Sequence, residues 1–139
     1  MQFERIEVEK IKQNNLELRK NTLSLAPLMK SISEYGFIQP IIVNQDNIVV
    51  DGNNRLQAAI KLGYTVLPVI KIDISEQALE QYALIHSQIQ ELTGWNFALK
   101  KSLVQKHNID TGAYGMSDEM RQIDDIDEFF TEEDAISLF

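Results

Sequence analysis

Val49-Val50-Asp51-Gly52-Asn53-Asn54-Arg55-Leu56-Gln57-Ala58-Ala59 is the stretch that decides the fold. Two β-branched residues run into an Asp-Gly-Asn-Asn turn, which feeds directly into apolar residues at helical spacing, Leu56, Ala59 and Ile60. A strand that turns this sharply into a helix brings free backbone N–H groups and the positive end of the helix dipole to one point. That point favours an anion. Gly52 allows a backbone geometry closed to other residues and lets a ligand approach closely. Asn53 and Asn54 tolerate left-handed conformations and can cap the helix. Arg55 adds a cation whose fork matches a phosphate. The ordinary alternative is a tight turn whose Arg55 is solvated or pairs with Asp51.

Working upstream, Ile48-Val49-Val50 is preceded by the polar turn Asn44-Gln45-Asp46-Asn47 and by Ile41-Ile42-Val43, a hairpin by composition. Before it, Leu25, Leu28, Met29, Ile32 and Tyr35 recur at helical spacing, with Pro27 in the first turn and Gly36 as the stop. Residues 4–11 alternate and read as a half-exposed strand, and Asn14-Asn15 begins a polar connection. Downstream, Gly63 ends the helix that the turn begins, and 66–72 read as another strand. Ser75 then caps a long helix with Glu76 in its first turn. A further helix starts near Trp95. The order strand, helix, strand, strand, helix, strand, helices is that of a mixed α/β (α+β) domain with C-terminal helices. The expected organisation is a domain over 1–92, a helical extension over 93–116 and an acidic tail over 117–139.

Composition narrows the function. The 139 residues are 44% hydrophobic and 24% charged, an ordinary globular balance. No cysteine is present, which excludes disulfide scaffolds, thiolate metal sites and a cysteine nucleophile. The longest apolar runs hold about five residues against the roughly 20 that span a bilayer, and the N-terminus lacks the basic-then-apolar layout of a signal peptide. A cytoplasmic protein without membrane contact is expected. Of 21 acidic and 13 basic residues, nine acidic and one basic lie in 117–139, so 1–116 carries 12 of each. All of the net charge of −8 therefore sits in the tail. An acidic chain argues against unaided non-specific DNA binding, which rests on neutralising phosphates.

Residues 3–92 resemble the N-terminal domain of the ParB/sulfiredoxin superfamily. The resemblance rests on Leu28 through Val43, on Ile48 through Gly63 and on Leu67-Pro68-Val69-Ile70, signatures that occur in the family's order. It implies a ligand between Gln39-Pro40 and the Gly52–Arg55 turn, with Arg55 on a phosphate and Asn53 and Asn54 orienting it. His86 would line the pocket, because that helix borders the nucleotide site in related domains. Its position among Leu79, Tyr82 and Ile89 also reads as a buried core histidine. The ligand implied is a nucleoside triphosphate or diphosphate with Mg²⁺, in plasmid, phage or chromosome biology.

The superfamily hosts unrelated activities, so each is weighed on residues. Sulfiredoxins need a cysteine in this turn, which excludes that chemistry. Partition-type members bind cytidine triphosphate through Gly-Glu-Arg-Arg-x-Arg; here the turn reads Gly52-Asn53-Asn54-Arg55-Leu56-Gln57, with Arg55 alone of the three arginines. Where those members place Glu-Asn-x-Gln-Arg to hold magnesium, this chain has His86-Ser87-Gln88-Ile89-Gln90. Their helix-turn-helix domain has no counterpart in the 47 residues after Leu92, so autonomous sequence-specific DNA binding is not expected. Free serine kinases offer an enzyme alternative, in which Glu34 and Asp51 would be the catalytic carboxylates of a small-molecule phosphotransferase. A third class is a regulatory protein that kept the fold and lost the ligand. No carboxylate cluster suggests a metal centre of two ions.

Two segments have further readings. Trp95, Leu99, Leu103 and Val104 read as an amphipathic helix packed on the core, with Lys100, Lys101 and Lys106 giving a nucleic-acid surface as the alternative. In the tail, Met116, Met120, Ile123, Ile126 and Phe130 recur at three to four residues beside an acidic face. That segment is expected either to close on its own domain or to dock on a protein partner.

Overall fold

The computed structural model describes residues 1–16 and 25–116, so the acidic tail of 117–139 lies outside the described residues. The chain forms two compact units, Met1–Thr93 and a second that begins at Gly94.

The first unit is a four-stranded mixed sheet with helices, the α/β architecture expected. Its elements are β1 (Gln2–Glu7), α1 (Ala26–Tyr35), β2 (Ile41–Val43), β3 (Val49–Asp51), α2 (Asn53–Lys61), β4 (Val66–Lys71) and α3 (Glu76–Leu92). The sheet order is β1-β4-β2-β3. β1 runs antiparallel to β4 with Ile6 opposite Leu67, and β2 runs parallel to β4 with Ile41 opposite Val69. β2 and β3 pair antiparallel, with a bulge between Ile42 and Val43.

Alternation selects the core. Ile41 and Val43 of β2, Leu67 and Val69 of β4 and Ile6 of β1 are buried, while their sequence neighbours are more open. Val49 from β3 and Leu56 and Ala59 from α2 close the same cluster, with Phe37 and Tyr64 against it. Pro68 sits in a central strand, one residue before the stretch that β2 engages. Its missing N–H therefore costs the β2 ladder nothing.

The first strand departs from its expected range. It runs over Gln2–Glu7, and a single 3-10 turn over Val8–Lys10 follows, so the alternation of 4–11 does not describe one strand. The turn drops Ile11 into the core and lets Lys12 bridge to the hairpin: the Lys12 N–H donates to the Asn47 carbonyl at 2.9 Å, and the Val49 N–H to the Lys12 carbonyl at 2.8 Å. Residues 11–14 thus run alongside β3.

In the hairpin, the buried Asn44 side chain accepts from the N–H groups of Asp46 and Ile48, each at 2.9 Å. Ser75 caps α3 by accepting from the Ala78 N–H at 3.2 Å, as its place before Glu76 predicts. α3 buries Leu79 and leaves Tyr82, Ile85 and Ile89 exposed. The core reading of His86 is therefore wrong. The ring is half-buried, stacks on Tyr82 with centroids 5.3 Å apart, and meets Gln90 at 3.3 Å.

In the second unit, α4 (Phe97–His107) starts two residues after Trp95, because Asn96 is its cap and accepts from the Leu99 N–H at 2.9 Å. Trp95, Leu99 and Leu103 are exposed, and the buried side chains of this helix are Lys100 and Val104. The expected core packing of that stripe is overturned. Among the described residues no helix is long and apolar enough to cross a membrane.

Candidate functional site

The turn between β3 and α2 is built from the backbone upward. Gly52 is the N-cap residue of α2, at φ 120°, a conformation that L side chains rarely adopt. The expectation that Asn53 or Asn54 caps the helix does not hold, since both lie inside it and no side chain bonds at the cap. A Cβ on Gly52 would stand 3.0 Å from Arg55 Nη2 and 3.2 Å from Ile41 Cγ1. The missing side chain is what lets the guanidinium fold back over the turn.

Arg55 is held there by two acceptors. Its Nη2 donates to the Pro40 carbonyl at 3.1 Å and lies 3.5 Å from Asp51 Oδ2. The side chain is 19% exposed. Its Nε is buried and has no hydrogen-bond partner. Arg55 thus joins two segments, contacting Pro40 before β2 and Asp51 of the turn itself. Gln39 lies exposed just before Pro40.

Asn53 faces the other way. Its Nδ2 donates to the Asn14 carbonyl at 3.1 Å and to Asn14 Oδ1 at 3.2 Å, while its Oδ1 accepts from the Asn14 N–H at 3.3 Å. Asn14 Nδ2 in turn donates to the Val49 carbonyl at 2.7 Å. The two amides tie the segment after β1 to the turn, across 39 residues of sequence. Sequence reasoning missed Asn14, because a lone polar pair in a connection carries no periodic signal. Asn54 is exposed in the first turn of α2.

The remaining candidates lie on separate elements. Glu34, near the end of α1, pairs with Lys30 at 3.1 Å and is 43% exposed. His86 sits on α3 with Tyr82 and Gln90. Among the described residues no group of three His, Asp or Glu side chains could hold a metal ion. A cleft of about 780 Å³ opens at the opposite end of α2, lined by Arg5, Ser33, Gly36, Gly63 and Tyr64 among others.

With this geometry in place, comparison with known proteins is specific. The model of the ParB N-terminal domain family matches residues 1–88. A probable chromosome-partitioning protein ParB of Campylobacter jejuni is 38% identical over 111 residues, covering 75% of this chain and 40% of the relative. A nucleoid occlusion protein of Bacillus thuringiensis is 34% identical over 88 residues, covering 59% of this chain and 30% of the relative. The chain thus spans less than half the length of these curated relatives. Among solved structures, the C-terminally truncated chromosome-partitioning protein ParB of Caulobacter crescentus, complexed with CTP-gamma-S, superimposes with a TM-score of 0.63. The identity there is 23%, over 81% of this chain and 68% of that one, a likeness of fold.

Proposed function

The chain belongs to the ParB N-terminal domain family, and from that membership we propose that its Gly52–Arg55 turn binds the phosphates of a nucleotide in chromosome- or plasmid-associated biology. The observation that carries the reading is the state of Arg55. The guanidinium is drawn over Gly52 and holds one backbone carbonyl, yet its contact with Asp51 is loose at 3.5 Å and its Nε has no acceptor. A half-buried cation with unmet hydrogen-bonding capacity beside a helix N-terminus is matched by a phosphate oxygen. The CTP-gamma-S held by the Caulobacter relative supports a nucleoside triphosphate as the ligand class.

Asn53 takes a structural part in this reading, because its amide is engaged with Asn14. Phosphate contacts then fall to Arg55, to the backbone at the start of α2 and to Asn54. Mg²⁺ would arrive with the phosphates and use their oxygens for most of its shell.

A thermal-shift panel of nucleoside di- and triphosphates, with and without Mg²⁺, tests the proposal, since a ligand that binds only the folded chain raises the melting temperature. At least one nucleotide is expected to stabilise the protein. Arg55→Ala is expected to weaken that binding by about 1.5–3 kcal/mol, the range for a hydrogen bond to a charged group. Absence of any shift at millimolar nucleotide, or equal affinity in the Arg55→Ala protein, would overturn the assignment.

A further inference from the structure

Asn14 ends a short run of backbone pairing alongside β3. The Lys12 N–H donates to the Asn47 carbonyl at 2.9 Å and the Val49 N–H to the Lys12 carbonyl at 2.8 Å, the pattern of a parallel ladder. Continued by one more rung, that ladder would give the Val49 carbonyl to the backbone N–H of Asn14. The rung is exchanged instead. The side chain of Asn14 takes the carbonyl, with Nδ2 donating to the Val49 oxygen at 2.7 Å. Its backbone N–H is thereby released to Asn53 Oδ1, at 3.3 Å.

The exchange uses both ends of the Asn14 amide. Its Oδ1 accepts from the Leu16 N–H at 3.0 Å and from Asn53 Nδ2 at 3.2 Å. The Asn14 carbonyl accepts from the same Nδ2 at 3.1 Å. Position 14 therefore needs a donor and an acceptor on one short side chain, which a carboxylate or a methyl group does not offer.

Asn53 is the first residue of α2 and follows Gly52, which has no side chain to fix its φ of 120°. Arg55 lies two positions further on, and residues two apart on a helix point to nearly opposite sides. Its guanidinium reaches the Pro40 carbonyl at 3.1 Å. The first turn of α2 is thus gripped from two sides, by Asn14 through Asn53 and by Pro40 through Arg55, while no side chain bonds at its cap.

We propose that Asn14 is the positioning residue of the Gly52–Arg55 turn. By exchanging its ladder rung it fixes Asn53, and so sets the direction in which the start of α2 presents its backbone to a phosphate. The inference rests on the reading of that turn as a phosphate site, and Asn14 acts on the ligand only through Asn53. In Asn14→Ala the backbone N–H is the donor left to the Val49 carbonyl, and taking up that rung releases Asn53.

Amide hydrogen exchange without ligand, and calorimetric titration with CTP and Mg²⁺, are compared for the wild type, Asn14→Ala, Asn53→Ala and Ile11→Val. The last trims the core from the same segment and leaves the clasp intact. The Leu56 N–H is bonded to the Gly52 carbonyl at the start of α2, and the Leu62 N–H to the Ala58 carbonyl at its end. Exchange at Leu56 is expected to rise relative to Leu62 in both clasp variants, whereas a general loss of stability in Ile11→Val moves the two alike. CTP affinity is expected to fall roughly fivefold or more in both clasp variants and to hold in Ile11→Val. A wild-type exchange ratio in both clasp variants overturns the proposal, whatever CTP does. So does an equal CTP affinity in the wild type and both variants, or an equal loss in Ile11→Val. A wild type that binds no CTP at millimolar concentration counts against the phosphate reading, and the exchange ratio then decides the positioning role by itself.

Discussion

Two helices of this chain follow polar turns and carry apolar residues at helical spacing, yet they have opposite fates. α2 lays Leu56, Ala58 and Ala59 into the protein interior, where Leu56 and Ala59 join the core cluster with residues of all four strands. α4 buries Lys100 and Val104 and shows Trp95, Leu99 and Leu103 to solvent. For α2 the cover is the sheet, whose buried strand residues meet Leu56 and Ala59. Apolar periodicity says which face of a helix seeks cover, and only a facing sheet or helix supplies it. Where the cover is built into the fold, the helix N-terminus is also fixed, and a rigid turn such as Gly52–Arg55 can form.

The contrast breaks most visibly at the covered helix. Leu56→Ala is expected to cost about 2–5 kcal/mol in urea denaturation, because the surrounding core cannot collapse fully around the cavity. Ile60→Ala on the exposed side of the same helix is expected to cost less than about 1 kcal/mol. Equal losses would mean that α2 is no better covered on one face than on the other. The rigidity of its N-terminus is sharpened by Gly52→Ala. Forcing an L side chain into φ 120° against the guanidinium is expected to cost about 1–3 kcal/mol and to lower any nucleotide affinity with it. Stability and binding losses that do not appear together would separate the turn's fold from its function.

The amide clasp gives a smaller effect. Asn14→Ala and Asn53→Ala are each expected to cost about 1 kcal/mol. They share one bond, the side-chain contact at 3.2 Å, so the double variant should fall short of the sum by no more than that bond, which a double-mutant cycle measures. Strict additivity would show that the two amides act alone. Least affected is Glu34→Gln, expected to change stability by less than about 0.5 kcal/mol, because its pair with Lys30 is open to solvent.

The order of strands and helices was readable because each element of the first unit carries its own period and its own stop, such as Gly36 after Tyr35 or Ser75 before Glu76. Boundaries failed where two backbone forms share one polarity pattern: Val8–Lys10 keeps the alternation of a strand while turning as a 3-10 helix. The outward stripe of α4 was unreadable for the reason given by the contrast with α2. Within the candidate site, the Gly52–Arg55 turn stood out from local chemistry alone. The clasp of Asn53 by Asn14 did not, since a pair 39 residues apart leaves no mark on either neighbourhood. Pro40 was set beside the turn by the family resemblance, whereas its carbonyl as the acceptor of Arg55, 15 residues on, left no local mark.

The sheet order carries one more consequence, for assembly. β2, β3 and α2 are neighbours in sequence, whereas β1 must find β4 across a separation of 61 residues, from Ile6 to Leu67. Closing so long a loop is entropically costly, so the first strand is placed to join a sheet whose other members are already formed. Until it does, β4 is an open edge rich in β-branched residues, able to template a strand from another molecule. The six residues Gln2–Glu7 act in this respect as a guard, and Glu4, Arg5 and Glu7 put charge on the edge they finally present.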